Sequence, residues 1–214
     1  MSLVRRVPWR AAGFIVVDVE TTGLDPARDE LVSFAAIPVE GGRIVARGAV
    51  SGLVRPAASP PPRSIEIHGL RAQDLAAAPP PPQALAPLTR AMRDRILVAH
   101  VAGVERAFLR ALRGRLERWL PRPAVDTALL WRLLGIERGE GDPGPPSLAD
   151  LVASLGLPAH RPHEAEGDAL TTAQAFLALA THLEAHGRGT VGALTGAGWR
   201  VRAWRLGHER DARL

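Results

Sequence analysis

Two carboxylates one residue apart, Asp18 and Glu20, end the apolar run in FIVVDVETTGLDP, residues 14–26. In a strand, residues two apart project from the same face, so this pair would project together at the strand's end. Like charges that close repel, and burial strengthens the repulsion. Either both side chains reach water or a cation lies between them. A bare D-x-E is common as a solvated strand end. Here Phe14, Ile15, Val16 and Val17 are apolar enough to place the strand centrally in a sheet, and Gly23 permits a tight turn directly after it.

Two more acidic positions stand in comparable contexts. In ILVAHVAGVERAFL (96–109), an apolar strand runs to His100, a small-residue turn follows, and Glu105 enters the first turn of a helix. An acid there also answers the helix dipole. In HEAEGDAL (163–170), His163 and Asp168 are five residues apart, about 500° around a helix. They would face differently on one helix, so His163 is placed in a loop and Asp168 in the first helical turn. A loop histidine beside a fixed carboxylate suits a general base near a metal. The competing reading is a charged surface loop, since Glu164 and Glu166 lie in the same stretch.

The elements that must position these residues follow from periodicity. Residues 14–20 predict a buried strand, and ELVSFAAIPVEGGRIVARGAV predicts two strands about a turn at Gly41 and Gly42. Residues 55–64 and 79–82 are proline-rich and predict extended loops. A short helix is expected at 84–93, a strand at 95–100, and a helix from Val104 to Leu120 with Phe108, Leu112, Leu116 and Trp119 on one side. Asp126 is a good N-cap for a helix at 127–134. Ser147 and Asp150 form a capping box for a helix ending near Gly156. The last clear helix is 168–185, with Leu170, Ala173, Phe176, Leu177, Ala180 and Leu183 facing inward. Strands first, helices later and further strands between them indicate an α/β layer fold with a mixed sheet.

Composition bounds the setting. The 214 residues suit one sizeable domain, 46% are hydrophobic and 23% charged. No apolar stretch approaches the roughly 18 residues of a membrane span, and the N-terminus does not read as a signal peptide, so no membrane partner and cytoplasmic residence are expected. Cysteine is absent, which excludes disulfides and thiolate metal sites. The net charge is +5 and all 27 basic residues are Arg. That balance permits phosphate contacts without requiring them.

The three stretches VVDVETTGL, LVAHVAGVERAFL and HEAEGDALTTAQAF resemble, in order and approximate spacing, the motifs of the DEDDh 3′–5′ exonucleases. These DnaQ-like enzymes include the proofreading epsilon subunit of the bacterial replicative polymerase. IEIHGL (65–70) and VDTALLWRLL (125–134) resemble connecting segments of that family. The resemblance implies an RNase H-like fold, a mixed five-stranded sheet flanked by helices. It implies an exonuclease domain over 13–187, between an N-terminal extension (1–12) and a Gly/Arg-rich tail (188–214). It further implies two divalent ions, Mg²⁺ or Mn²⁺, clamping the scissile phosphate. Asp18, Glu20 and Asp168 would be the metal ligands, and His163 would take the proton from the attacking water. Glu105 would stand at the remaining aspartate position. Thr21, Thr22, Gly23 and Leu24, with His68, would hold the terminal nucleotide. Implied partners are 3′ ends of single-stranded DNA or RNA, and a DNA polymerase or repair complex.

The second motif departs from the family's H-N-A-x-F-D. His100 is kept, but Val101, Val104 and Glu105 replace Asn, Phe and Asp. Val101 is discounted because the chain uses no Asn. Val104 loses an aromatic contact, and Glu105 keeps the charge but adds a methylene. The alternative reading is therefore a catalytically weakened nucleic-acid-binding or scaffold module of the same fold. In the tail, Trp199 and Trp204 are expected to pack on the core, with stacking on bases as the alternative.

Overall fold

The computed structural model describes residues 6–111 and 124–211. Strand β1 (Phe14–Thr21) pairs antiparallel with β2 (Leu31–Glu40) along its length and parallel with β5 (Ile96–Ala99). β5 pairs parallel with β6 (Ala124–Asp126). β3 (Arg43–Ile44) and β4 (Val50–Leu53) pair with different parts of the outer edge of β2. Six strands therefore occupy the five positions of a mixed sheet.

The apolar run of β1 is continuous because both sheet faces are covered. Phe14 and Val16 face the long helix α8 (Ala165–Ala185) together with α6 (Thr127–Glu137) and α7 (Leu148–Ser154). Ile15 and Val17 face α4 (Ala86–Met92) through Leu88 and Met92. Phe176 of α8 anchors the first layer, tilted against Phe14 at 4.9 Å and edge-on to Trp9 at 5.8 Å between ring centroids. Truncating such a fully buried ring costs about 3–5 kcal/mol.

Both flanking segments join this core. Trp9 is fully buried, its backbone N–H donates to Gly189 O at 3.0 Å, and Val191 N–H donates to Val7 O at 2.9 Å. The tail forms α9 (Val191–Thr195) and α10 (Ala197–Asp211), and α10 packs on α6.

Several sequence expectations are refined. The proline runs are not wholly loops: Pro62 opens α1 (Pro62–His68) and Pro81 opens α3 (Pro81–Ala84). Proline suits the first helical position, where an N–H would have no intrahelical partner. Between these lies the single turn α2 (Ala72–Leu75). Only the N-cap half of the expected capping box forms: Ser147 Oγ accepts from Asp150 N–H, and the Asp150 carboxylate takes the Ser147 hydroxyl at 2.6 Å. α8 starts at Ala165, one turn earlier than expected. Leu170 and Leu177 on it are only half-buried, while Leu179 is fully buried. The helix predicted at 104–120 begins as α5 at Gly103 and is described through Ala111; Leu112, Leu116 and Trp119 lie outside the described residues. Trp199 does not pack on the core, being 73% exposed. No helix among the described residues is long and apolar enough to cross a membrane.

Candidate active site

Parity on β1 sets the site. Asp18 and Glu20 follow Phe14 and Val16 on the face turned to α8. The parallel pairing of β1 with β5 ends at Val16 and Val98, so Asp18 and Glu20 lie where the neighbouring strand has stopped. This is the carboxyl end of the parallel strands, where α/β sheets open a crevice. A register shift between Glu20 and Thr21 marks a bulge at the rim.

α8 supplies the third carboxylate. Oxygens of Asp18, Glu20 and Asp168 all lie within 4.8 Å of one another, each residue partly shielded from solvent. Burial raises the Asp18 carboxyl well above its usual range, and the charges of Glu105, Glu20 and Asp168 add to it. Glu20 is pushed up to about 8 by burial and by Asp168. Asp168 is raised by burial, against the opposing effects of the His163 N–H and the His163 and His100 rings. Three acids resisting ionisation together form a set of hard oxygen donors that a divalent cation satisfies.

Glu105 sits in the first turn of α5, buried, with Oε2 lacking any hydrogen-bond partner. Burial holds its carboxyl at about 8, and its charge bears on Asp18. An orphaned buried carboxylate oxygen beside an acidic cluster fits a place for a cation. Glu105 is not within the 4.8 Å group of three.

His163 precedes α8 in an exposed loop, as expected, with φ of 65°. Its backbone N–H donates to Asp168 Oδ2 at 2.9 Å. Gly167 underlies this loop: a Cβ there would overlap the His160 and Arg161 carbonyl oxygens. The loop and helix therefore close on each other only over a glycine.

The turn after β1 is braced internally. Thr21 Oγ1 donates to Gly23 O at 2.6 Å, and Thr22 N–H donates to Glu30 O at 2.9 Å. The Thr22 hydroxyl donates to Asp29 Oδ1 and accepts from Glu30 N–H. Gly23 leaves room for the Asp29 side chain at this turn. Its φ is not positive, but a Cβ would collide with the Asp29 carboxylate. Leu24 is 85% exposed at the tip. His68 closes α1, buried, with Nδ1 accepting the Leu70 N–H at 3.1 Å. Burial lowers its pKa and favours the neutral ring; with Nδ1 accepting, the proton of that ring lies on Nε2. Glu20, His68 and His163 line one cleft of about 500 Å³. Ser51, Asp74 and Glu166 share it; the Ser51 hydroxyl donates to Glu166.

Sequence reasoning missed one positioning residue. Asp126 caps α6, accepting from Ala128 and Leu129, and also accepts the N–H groups of Val101 and Ala102 at 3.2 and 3.0 Å. It thereby fixes the turn that delivers Glu105. Its cap role was legible; its second pair of donors arises only because β5 and β6 are neighbours. His100, given no role from sequence, bonds Thr127 Oγ1 at 2.9 Å and Pro146 O at 3.1 Å and ties the same corner together.

Several known proteins are similar to this chain. The RNase_T family, described as exonuclease, matches residues 15–176. A DNA polymerase III subunit epsilon-like protein of Rhodobacter capsulatus is 34% identical over 197 residues, 90% of this chain and 27% of that protein. The PolC-type DNA polymerase III of Thermotoga maritima is 35% identical over 167 residues, 78% of this chain and 12% of that protein. The chain thus spans about a quarter or less of these two relatives. The DNA polymerase III epsilon subunit of Aquifex aeolicus is 28% identical over 79% of this chain and 81% of its own length. Among solved structures, E. coli exonuclease I in complex with a dT13 oligonucleotide superposes with a TM-score of 0.67 at 20% identity, over 81% of this chain and 42% of that one. Exonuclease X in complex with 5′ overhanging duplex DNA gives 0.63 at 24% identity, over 86% and 98%. At such identities the structural likeness establishes the RNase H-like fold. Because the family match runs through the strand of Asp18 and Glu20 and the helix of Asp168, the chain belongs to the DnaQ-like exonucleases of the RNase_T family.

Proposed function

We propose that the protein is a metal-dependent 3′–5′ exonuclease that removes nucleoside 5′-monophosphates from the 3′ end of single-stranded DNA or RNA. The convergence of Asp18, Glu20 and Asp168 within 4.8 Å, from a strand and a helix, carries the reading. These three would hold divalent ions, with Glu105 answering from beside Asp18. Bound Mg²⁺ or Mn²⁺, two ions in this reading, would polarise the phosphoryl group and offset charge on the attacking and leaving oxygens. His163 takes a proton from the attacking water as its oxygen bonds to phosphorus. The bond from phosphorus to the 3′ oxygen of the penultimate nucleotide breaks, and that oxygen leaves as a 3′-hydroxyl after gaining a proton. Thr21, Thr22, Gly23 and Leu24 hold the terminal nucleotide from one side, and the neutral His68 ring offers a donor from the other.

The test is digestion of 5′-labelled single-stranded DNA, duplex ends and short RNA with each metal, and with Asp18→Ala as control. A ladder shortened from the 3′ end, lost in Asp18→Ala, is expected. A pure protein that degrades none of them with either metal would sink the proposal. Docking to a DNA polymerase or repair complex is consistent with the epsilon-like relatives and is tested by co-purification.

A further inference from the structure

We infer that the outward face of α10, built on Trp199, Arg202 and Arg205, holds single-stranded nucleic acid upstream of the cleavage site; this rests on the exonuclease reading. The cleft itself sets the problem. Glu20, Asp74, Glu164 and Glu166 line it, against only His68 and His163, with no arginine among its described lining residues. Asp74 is held by Arg71, Glu164 by Arg161 and Glu20 belongs to the proposed metal set, so no lining cation is left over for a polyanion that must also pass Glu166. Metal ions offset charge at the scissile phosphate alone, so the phosphates upstream need cations from another part of the surface.

α10 supplies them. Ala197 and Val201 bury its inner side against α6. Trp199 stays 73% exposed and Leu206 47% exposed. Seven residues return a helix to within about 20° of its starting direction, so Trp199 and Leu206 lie in one row, with Arg202 between them. Arg202 and Arg205 are exposed and rim a shallow groove of about 200 Å³ floored by Leu129 and Val201. Arg132 also borders the groove, but it is spent on Asp142 through two contacts of 2.8 and 2.5 Å. The Arg205 charge also acts on Asp142, yet the described residues lining the groove include three arginines and no acid.

The position fits an upstream strand. Gly198 packs so closely on Leu129 that a Cβ would stand 3.0 Å from its Cδ1. Leu129 follows Asp126 by three residues, about 4.5 Å along the helix axis. Asp126 in turn holds the Val101 and Ala102 amides at the turn before Glu105. The foot of α10 therefore borders the same carboxyl edge of the sheet as the acidic cluster. An indole standing out from a helix offers a flat face to an unpaired base, while flanking arginines meet its phosphates. A duplex would not present a free base face, and an acidic peptide would use the arginines but not the protruding ring.

Binding of a 5′-fluorescein twelve-nucleotide oligothymidylate, measured by anisotropy in EDTA, tests the assignment. Trp199→Ala should weaken binding roughly tenfold, and Trp199→Phe by less. Arg202→Ala with Arg205→Ala should lower the slope of log affinity against log salt by about 1.4, or about 0.7 per lost contact. Hydrolysis of the dinucleotide dTpdT, too short to reach α10, should keep its wild-type kcat/KM. These positions are exposed, and an unchanged thermal midpoint checks folding. If wild type degrades the oligonucleotide and the variants bind it equally well with the same salt slope, the α10 assignment falls alone. A Glu-rich peptide that loses binding in these variants while oligonucleotide affinity is unchanged overturns it too, in favour of a protein partner. If wild type degrades no oligonucleotide with either metal, the exonuclease reading fails first.

Discussion

The backbone N–H of His163 donates to Oδ2 of Asp168 at 2.9 Å, so the proposed general base is tethered by a proposed metal ligand. The tether uses the main chain and leaves the imidazole free to face substrate. Loss of the ring therefore leaves the carboxylate's hydrogen bond in place. His163→Ala should lower kcat by roughly 10²–10⁴-fold with metal affinity by calorimetry unchanged. Asp168→Ala should lose both. An unchanged kcat in His163→Ala would remove the histidine from the mechanism.

Gly167 is where the loop and α8 touch. Gly167→Ala must push the His160 and Arg161 carbonyls away and with them the peptide of His163. A displacement near 1 Å costs on the order of 100-fold in rate. The expected variant is folded by circular dichroism and nearly inactive. Wild-type activity would show that the loop yields freely.

Val101 holds φ of 56°, a conformation costly for a β-branched residue. The exchange of Asn for Val therefore carries strain, since Asn tolerates this region and a β-branched residue does not. Its side chain is 45% exposed, so little packing is lost on substitution. Val101→Asn should raise stability by about 1 kcal/mol, or about 2–4 °C in Tm for a chain of this size. A lowered Tm would contradict the strain.

Glu105 reaches toward Asp18 with one methylene more than the family's Asp. Glu105→Asp should raise the Mg²⁺-supported rate by about tenfold and narrow any preference for Mn²⁺, because a misplacement near 1 Å can cost about 100-fold. Identical rates and metal ratios in the two proteins would show that the longer arm costs nothing.

Glu20 and Glu105, at about 8, carry folded-state values above the ordinary value of 4.5. A carboxylate raised on folding stabilises the protein fully below its unfolded value, and that stability is lost as pH rises through the folded value. The metal-free protein should therefore lose Tm between about pH 4.5 and 8. Mg²⁺ or Mn²⁺ should restore it, more at pH 8 than at pH 5. Glu20→Gln should flatten the apo profile. A Tm that rises across this window in EDTA would reject the buried acidic cluster.

Much of this site is local in origin and so legible in the sequence. The period of two on β1 places Asp18 and Glu20 on one face, and the five-residue spacing separates the His163 loop from Asp168 in a first turn. Capping chemistry at Asp126 and Ser147 was equally local. The proline runs depart from extended loops where they open α1 and α3, because the same residue type serves both.

The sequence by itself determined which residues carry charge, their parity on the strand, and the motif order that marks the family. Only the tertiary structure decided that Asp126 braces the second motif, that Gly167 must lack a side chain, and that Val101 is strained. It also decided that Trp199 stands outside the core. Each depends on which segments become neighbours across the sheet, β5 beside β6 and α10 on α6. Periodicity along a single element does not encode contacts between residues that lie far apart in the chain.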